Sequence, residues 1–181
     1  MTSFKERLYR LNPWILSSVA GVLTVVQIGL CIFRSHPEGV PALRYAGYVL
    51  WTAGVVFALL PVFTLKRKGQ VAEGQSYMKT TALVTSGVYS LVRHPQGGLA
   101  WLLMNLAVML VGQTWPIVLL GGLSMLLVYL DAHKTDQYCV EKFGEEYERY
   151  MEMVPRVNVV LGVTRLLRRK AAGGQQPDRS I

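Results

Sequence analysis

The chain has 181 residues, 51% of them apolar and only 17% charged, with a formal net charge of +8 and a mean hydropathy of +0.30. A soluble domain of this size seldom combines so many apolar residues with so little charge, so the composition points away from an ordinary soluble protein and toward a membrane one. The basic balance would also suit nucleic acid, but no aromatic–basic interleaving or known motif accompanies it, and no nucleic-acid partner is expected.

The N-terminal stretch carries Lys5, Arg7 and Arg10 against Glu6 and leads into Pro13 to Phe33, 21 residues without a charge. Tyr45 to Leu65 is a second uncharged run of 21. Each is about the length that crosses ~30 Å of hydrocarbon at ~1.5 Å per residue. The first run does not read as a cleaved signal peptide, because its apolar core is too long and no small-x-small cleavage site precedes a soluble domain. Buried core helices of a soluble bundle are the bland alternative. They would have to account for three such stretches in so short a chain.

After the second run comes a basic segment, with Lys66, Arg67, Lys68, Lys79 and Arg93 against Glu73. It ends in Thr85-Ser-Gly-Val-Tyr-Ser-Leu-Val-Arg93-His94-Pro95-Gln-Gly-Gly98, which places Arg93 and His94 at the mouth of the next apolar run. A membrane boundary is a costly place for two nitrogen-rich side chains unless something polar waits there. Gly97 to Leu130 is 34 uncharged residues, too long for one simple span. Gly112-Gln113-Thr114-Trp115-Pro116 interrupts it, with Thr114 a candidate helix cap and Pro116 a first-turn proline. The expectation is a short helical hairpin, 95–111 and 116–130, and so an all-α polytopic protein with four transmembrane helices, at 13–33, 45–65, 95–111 and 116–130. The uncharged hairpin tip and the basic segment at 66–96 place both termini on the cytoplasmic side by the positive-inside rule. Asn105, alone inside the third helix, reads as a hydrogen-bonding tie between helices rather than a lining residue. Gly97-Gly98 and Gly121-Gly122 read as close helix-packing sites.

Beyond Leu130 the helical register continues into water as Asp131-Ala-His133-Lys-Thr-Asp136, and Gly144 is a natural stop. A short helix from Glu145 to Met153 then puts Tyr147, Tyr150, Met151 and Val154 on one stripe, ending before Pro155. Residues 131–156 are expected to form a cytoplasmic helical cap. Most of its charges suit a solvated helix equally well, but Asp131 stands in the last turn of a membrane helix, where an acid also opposes the helix dipole. Val157 to Leu167 followed by Arg168, Arg169 and Lys170 reads as an interfacial helix held by anionic headgroups. The expected organisation is a single membrane domain over 1–170 with a disordered tail at 171–181. His36, His94 and His133 are scattered and the chain has no CxxC, so no metal site is expected, and Cys31 and Cys139 are too far apart along the spans to pair.

Gly87-Val-Tyr89 … Val92-Arg93-His94-Pro95, a hydrophobic hairpin, then Phe143-Gly144-Glu145-Glu146-Tyr147-x-x-Tyr150 … Val154-Pro155-Arg156 resembles the isoprenylcysteine carboxyl methyltransferase family, which groups with small membrane methyltransferases acting on phospholipids and other lipophilic acceptors. The resemblance covers about residues 60–160. It implies S-adenosylmethionine as cofactor, bound on the cytoplasmic side, and a lipid or other lipophilic acceptor reaching the site from the bilayer. It implies cofactor contacts from Tyr89, Arg93, His94 and Pro95, and from Glu145, Glu146 and Tyr147, where a glutamate would accept from ribose hydroxyls. Two departures bear on the acceptor. Gly97 stands where the family carries a tyrosine, and Asp131 stands where isoprenylcysteine enzymes carry an arginine, with Asp136 keeping an acidic match. An acid at 131 suits an amine or hydroxyl acceptor better than a carboxylate, and Asp131, Asp136 and His133 are the candidate general bases. Cys139-Val-Glu-Lys142-Phe143-Gly144 with Val154-Pro155 also resembles the membrane sterol reductases, which use NADPH. That reading, and a scaffold that has lost chemistry, are the alternatives.

Overall fold

The computed structural model describes residues 13–33, 39–68 and 81–173. The N-terminal basic cluster, the Arg34–Glu38 stretch, Glu73, Lys79 and the end of the tail therefore lie outside the described residues. Within them the chain is helical with no strand: α1 (Pro13–Phe33), α2 (Pro41–Lys68), a 3-10 turn (Gly87–Ser90), a π-helical turn (Pro95–Ala100), α3 (Trp101–Gly112), α4 (Trp115–Phe143), α5 (Glu145–Met153) and α6 (Val159–Gly173). Four segments are long and apolar enough to cross a membrane: α1, α2, the π turn with α3, and α4. The expected four-span, all-α architecture is observed.

The third span is the short one. Pro95 to Gly112 is 18 residues, or about 27 Å. By contrast α4 runs unbroken for 29 residues, or about 44 Å, well beyond the hydrocarbon thickness of ~30 Å. Its apolar half ends at Leu130, and the residues from Asp131 to Phe143 project past the span. Thr114 takes the N-cap position of α4, yet its hydroxyl makes no capping bond; its carbonyl accepts from the Val118 N–H (3.0 Å) and Pro116 follows in the first turn. Gly144 ends the helix with φ +58°, a conformation that favours glycine, and its N–H caps the Val140 carbonyl at 2.7 Å.

The spans pack as two pairs, α2 along α3 with its π turn and α1 along α4, with α3 and α4 joining them. The α2 seam is built from small residues seven apart. Gly47, Gly54 and Pro61 are its buried positions, and a Cβ on Gly47 would stand 2.9 Å from the Ala107 carbonyl. Close backbone approach is what holds helices together in lipid, where apolar side chains gain nothing by leaving the tails. On the other pair the ties are polar. The Thr24 hydroxyl lies 2.9 Å from that of Ser124 and takes the Trp101 indole N–H (2.9 Å), and Gln27 Nε2 donates to the carbonyls of Asn105 and Ile117, both at 3.2 Å. Asn105 is fully buried, accepts from Thr24 (3.2 Å) and donates to the Trp101 carbonyl (3.0 Å), as expected of a tie between helices. Only one glycine of each predicted pair packs. Gly98 and Gly121 are buried, whereas Gly97 and Gly122 face open space.

At the end of the bundle where α2 finishes, α5 lays the predicted stripe inward. Tyr147, Tyr150 and Val154 form a buried cluster under Leu83, Cys139, Val140, Phe143 and Met151. Beyond it α6 starts at an Asn158 cap, whose side chain accepts from the Leu161 N–H at 3.0 Å. The helix continues to Gly173, past the point where a disordered tail is expected to begin, because Arg168 to Gly173 keep a helical register once Arg165 and Arg169 are anchored to the protein. Cys31 and Cys139 are free thiols.

Candidate functional site

Two segments 60 residues apart in sequence are sewn together by their backbones. The N–H of Arg93 donates to the Pro155 carbonyl (3.0 Å) and that of His94 to the Arg156 carbonyl (3.1 Å). Neither segment is in a helix at that point, so these amides need external partners. Immediately afterwards the third span opens with a π turn. Pro95 has no N–H to give, and the Leu99 N–H reaches back five residues to the His94 carbonyl at 2.9 Å. Gly98 lies under this turn, where a Cβ would meet Val157 Cγ1 at 2.7 Å and His94 Cβ at 2.9 Å. The wide turn fixes the direction in which His94 leaves the helix.

The side chains converge on Asp136, which is 3% exposed. Its Oδ1 accepts from His94 Nε2 (2.7 Å) and from the Tyr147 hydroxyl (2.8 Å). Its Oδ2 accepts from Arg156 Nε (2.7 Å) and forms an ion pair with Arg93 Nη2 at 3.1 Å. Burial alone would push this carboxyl up, but the hydrogen bond and charge of His94, the bond from Arg156 and the charge of Arg93 outweigh it and hold Asp136 well below the usual carboxylate range. Burial, with the neighbouring Cys139 and Asp136, pushes the Tyr147 hydroxyl far up, so it stays a donor. Tyr150 is likewise raised, chiefly by burial, and donates to the Tyr89 carbonyl at 2.6 Å. That bond ties the Gly-x-Tyr turn to the same cluster.

Arg156 extends the network along one face of α4. Besides Asp136, it donates to His133 Nδ1 (3.0 Å) and the Tyr129 hydroxyl (3.2 Å), with its guanidinium 5.3 Å from the Tyr129 ring centroid. Tyr129, His133 and Asp136 are spaced i, i+4, i+7, so one helical face presents all three. An arginine nitrogen only donates, so His133 Nδ1 is the acceptor in this contact. Asp131 is half-buried near Lys134 and His94. One donor in the cluster is left over: Arg93 Nε is buried without a hydrogen-bond partner.

The expected site residues therefore separate into groups. Arg93, His94, Asp136 and Tyr147 meet directly, His133 joins through Arg156, Pro95 sets the π turn, and Tyr89 contributes its carbonyl. Glu145 and Glu146 are not brought to the cluster. Both are exposed on the first turn of α5, and Glu145 pairs with Arg149 (3.2 Å) on the surface. Asp136, with both oxygens occupied and its carboxyl depressed, is a weak proton acceptor near neutral pH. Arg156 stands in the sequence as the end of the Val154-Pro155-Arg156 motif without a place among the expected site residues, and the signal for Tyr129 was its i, i+4, i+7 spacing with His133 and Asp136. Two grooves flank the bundle. One of about 260 Å³ is apolar, between Ile28, Cys31, Trp51 and Val108; the other, about 170 Å³, lies beside Gly87 between Thr64, Arg67 and Lys68.

A four-span helical membrane protein with a buried, charged side-chain cluster where its third span begins is what fold and site define. The family model for phospholipid methyltransferases matches residues 43–146, more than half of the chain, and the chain belongs to that family. Membership places it among integral membrane methyltransferases that act on lipids, within the isoprenylcysteine carboxyl methyltransferase-like group. The match takes in α2, the Arg93-His94-Pro95 segment, the hairpin and Asp136, and it ends at the start of α5. Neither the curated proteins nor the solved structures gave a match.

Proposed function

We propose that this protein transfers a methyl group from S-adenosylmethionine to an amine- or hydroxyl-bearing lipid at the membrane–water boundary, with the cofactor taken from the cytoplasmic side. The observation that carries the reading is the Asp136-centred cluster, which gathers Arg93, His94, Tyr147 and Arg156 from three segments onto α4 where the third span begins. The residues fit the cofactor in one testable respect. Arg93 Nε is a buried donor with no partner among the described residues, and the amino-acid end of S-adenosylmethionine carries a carboxylate that such a donor would take. When bound, the cofactor supplies a methyl group already activated on a sulfonium.

The protein's own contribution is alignment and exclusion of water. Asp136 acts as a positioning residue, fixing the Arg93 guanidinium through an ion pair at 3.1 Å and the His94 ring through a hydrogen bond at 2.7 Å. Tyr147 and Tyr150 close the cluster on the α5 side, and the Tyr89 carbonyl is held by Tyr150. Asp131 is the base candidate that lies outside the ion-pair cluster, whereas His133 Nδ1 is taken by Arg156. Beside the Gly-x-Tyr turn, Arg67 and Lys68 give a lipid phosphate a counter-charge. Glu145 and Glu146 would contact ribose only if α5 shifted, so they are the weakest members of the proposed cofactor set.

The acceptor follows from Asp131. A carboxylate approaching an acid within ~4 Å is repelled by several kcal/mol at intermediate dielectric, and an ammonium is attracted by as much. Purified protein incubated with lipid extract and methyl-labelled cofactor should label an aminolipid or a lipid alcohol, and Asp131→Asn should lower turnover more than cofactor affinity. Robust labelling of a prenylcysteine carboxylate would overturn the acceptor assignment. Binding of NADPH in place of S-adenosylhomocysteine would overturn the reaction itself and favour the reductase reading.

A further inference from the structure

We infer that α6 is a docking surface for anionic lipid of the bilayer that the protein spans, and that its docking state is transmitted to the Arg93–His94 segment. The helix has two faces with different occupants. On the inner face Gly162 is buried directly against the Leu91 carbonyl, with no room for a Cβ. Arg165 donates to the Glu152 carbonyl (3.0 Å) and Arg169 to the Ser90 carbonyl (3.1 Å), so two of its four cations are anchors to the protein. On the opposite face Val160, Val163 and Leu167, at i, i+3, i+7, are 75%, 38% and 61% exposed. Arg168 and Lys170 flank this stripe, both exposed and neither in an ion pair among the described residues.

An apolar stripe bordered by unpaired cations suits a surface that offers hydrocarbon and negative charge together. Anionic headgroups over acyl chains do so. The position agrees: α6 rests on Ser90 and Leu91, and the third span begins at Pro95. The bilayer is therefore the nearest partner, already held by four spans. The link to the site is short. Ser90 and Leu91 lie just before Arg93, whose backbone is held on its other side by Pro155. A docked α6 braces that stretch of chain at Ser90 and Leu91, and a released one leaves it held by the Pro155–Arg156 pairing, the Asp136 cluster and the Tyr150–Tyr89 bond. The regulatory consequence rests on the proposed function; the docking does not.

The test uses the full chain in nanodiscs of phosphatidylcholine, alone or mixed with phosphatidylglycerol, read by backbone hydrogen exchange. Anionic lipid should slow exchange across 159–171 by at least about tenfold, from about 1 kcal/mol per cation near the surface, and slow it less at 90–94. In the double variant Arg168→Glu, Lys170→Glu the lipid response should vanish while exchange in the spans is unchanged. Wild-type exchange that is the same in both discs overturns the proposal, as does a double variant that responds fully. Protection by soluble polyglutamate instead of lipid would assign the face to an acidic protein and also overturn it. If the variant does not fold, loss of the wild-type response at high salt is the replacement arm, and its persistence there counts against the proposal. Because exchange needs no turnover, an intact lipid response in a protein that transfers no methyl group would refute the function alone.

Discussion

Asp136 is the hub of the cluster, since four partners from three segments converge on its two oxygens. Removing one partner from a buried ionic cluster leaves the others uncompensated, which typically costs about 3–5 kcal/mol. Asp136→Asn should therefore lower the unfolding midpoint in detergent by an amount equivalent to that range, whereas Tyr147→Phe, which removes one donor to a charged acceptor, should cost about 1–3 kcal/mol. The pH dependence has a definite sign. Because the folded carboxyl titrates below its unfolded value of about 3.9, its stabilisation is complete above that value and is lost as pH falls toward the folded pKa. The stability difference between wild type and Asp136→Asn should thus be constant near neutrality and shrink in acid; a difference that shrinks between pH 6 and 8 would contradict the assignment. Arg93 and His94 are a separate case, since Asp136 keeps three partners when either is lost. Arg93→Ala and His94→Ala should leave the protein folded and weaken S-adenosylhomocysteine binding by about 1–3 kcal/mol per lost charge-assisted contact. Unchanged affinity in both would remove them from the cofactor site.

At the scale of elements, what the sequence made legible is what local chemistry decides. Uncharged runs of 21 residues mark α1 and the core of α2, the Gly112-Gln113-Thr114-Trp115-Pro116 break marks the hairpin, and Gly144 marks the end of α4. The α5 stripe was readable because one helical face in water carries two tyrosines and a valine that must be covered. Longer-range pairings were not readable. Nothing local in Val154-Pro155-Arg156 says that its carbonyls will hold the amides of Arg93 and His94, or that Arg156 will lie across Tyr129, His133 and Asp136. Glu145 and Glu146 are the opposite case: a motif position implied a role, and the α5 register leaves both exposed and away from the Asp136 cluster. The glycine signal was partly misplaced for a similar reason. Adjacent glycines cannot both face a neighbour on a helix, whereas Gly47, Gly54 and Pro61 recur every seven residues on one side. Gly54→Val tests that seam, since even a Cβ there stands 2.9 Å from Met104 Cγ and 3.2 Å from the Ala100 carbonyl. Overpacking of this kind should cost about 1–3 kcal/mol, seen as a lower unfolding midpoint, while the exposed Gly122→Val should change it little.

For the whole molecule, the two ends of the bundle differ in kind, and that difference carries the topology. One end holds Arg67, Lys68, Arg93, Asp136 and Arg156, together with α5 and α6. The other holds Gly39 and Val40 before α2 and the hairpin tip, which are clasped to each other: Gln113 Oε1 accepts from the Val40 N–H (2.7 Å) and Gln113 Nε2 donates to the Val40 carbonyl (2.9 Å). Gln113 adopts φ +47° to make this clasp, and Gly39 lies so close that a Cβ would meet Oε1 at 2.8 Å. A bidentate amide pair satisfies the backbone at that end, where Arg44 in the first turn of α2 is the charged side chain among the described residues, whereas the opposite end gathers the charge cluster. By the positive-inside rule we propose that the charged end faces the cytoplasm, the compartment that would supply a water-soluble methyl donor. In a background of Cys31→Ser and Cys139→Ala, a cysteine at Thr114 should react with a membrane-impermeant thiol reagent applied outside intact cells, or stay shielded from both sides if the short hairpin does not emerge. A cysteine at Lys66 should react only after the membrane is opened. Reaction at position 114 from the cytoplasmic side alone would invert the arrangement and place the Asp136 cluster, with its proposed cofactor, on the side of the membrane where no supply reaches it.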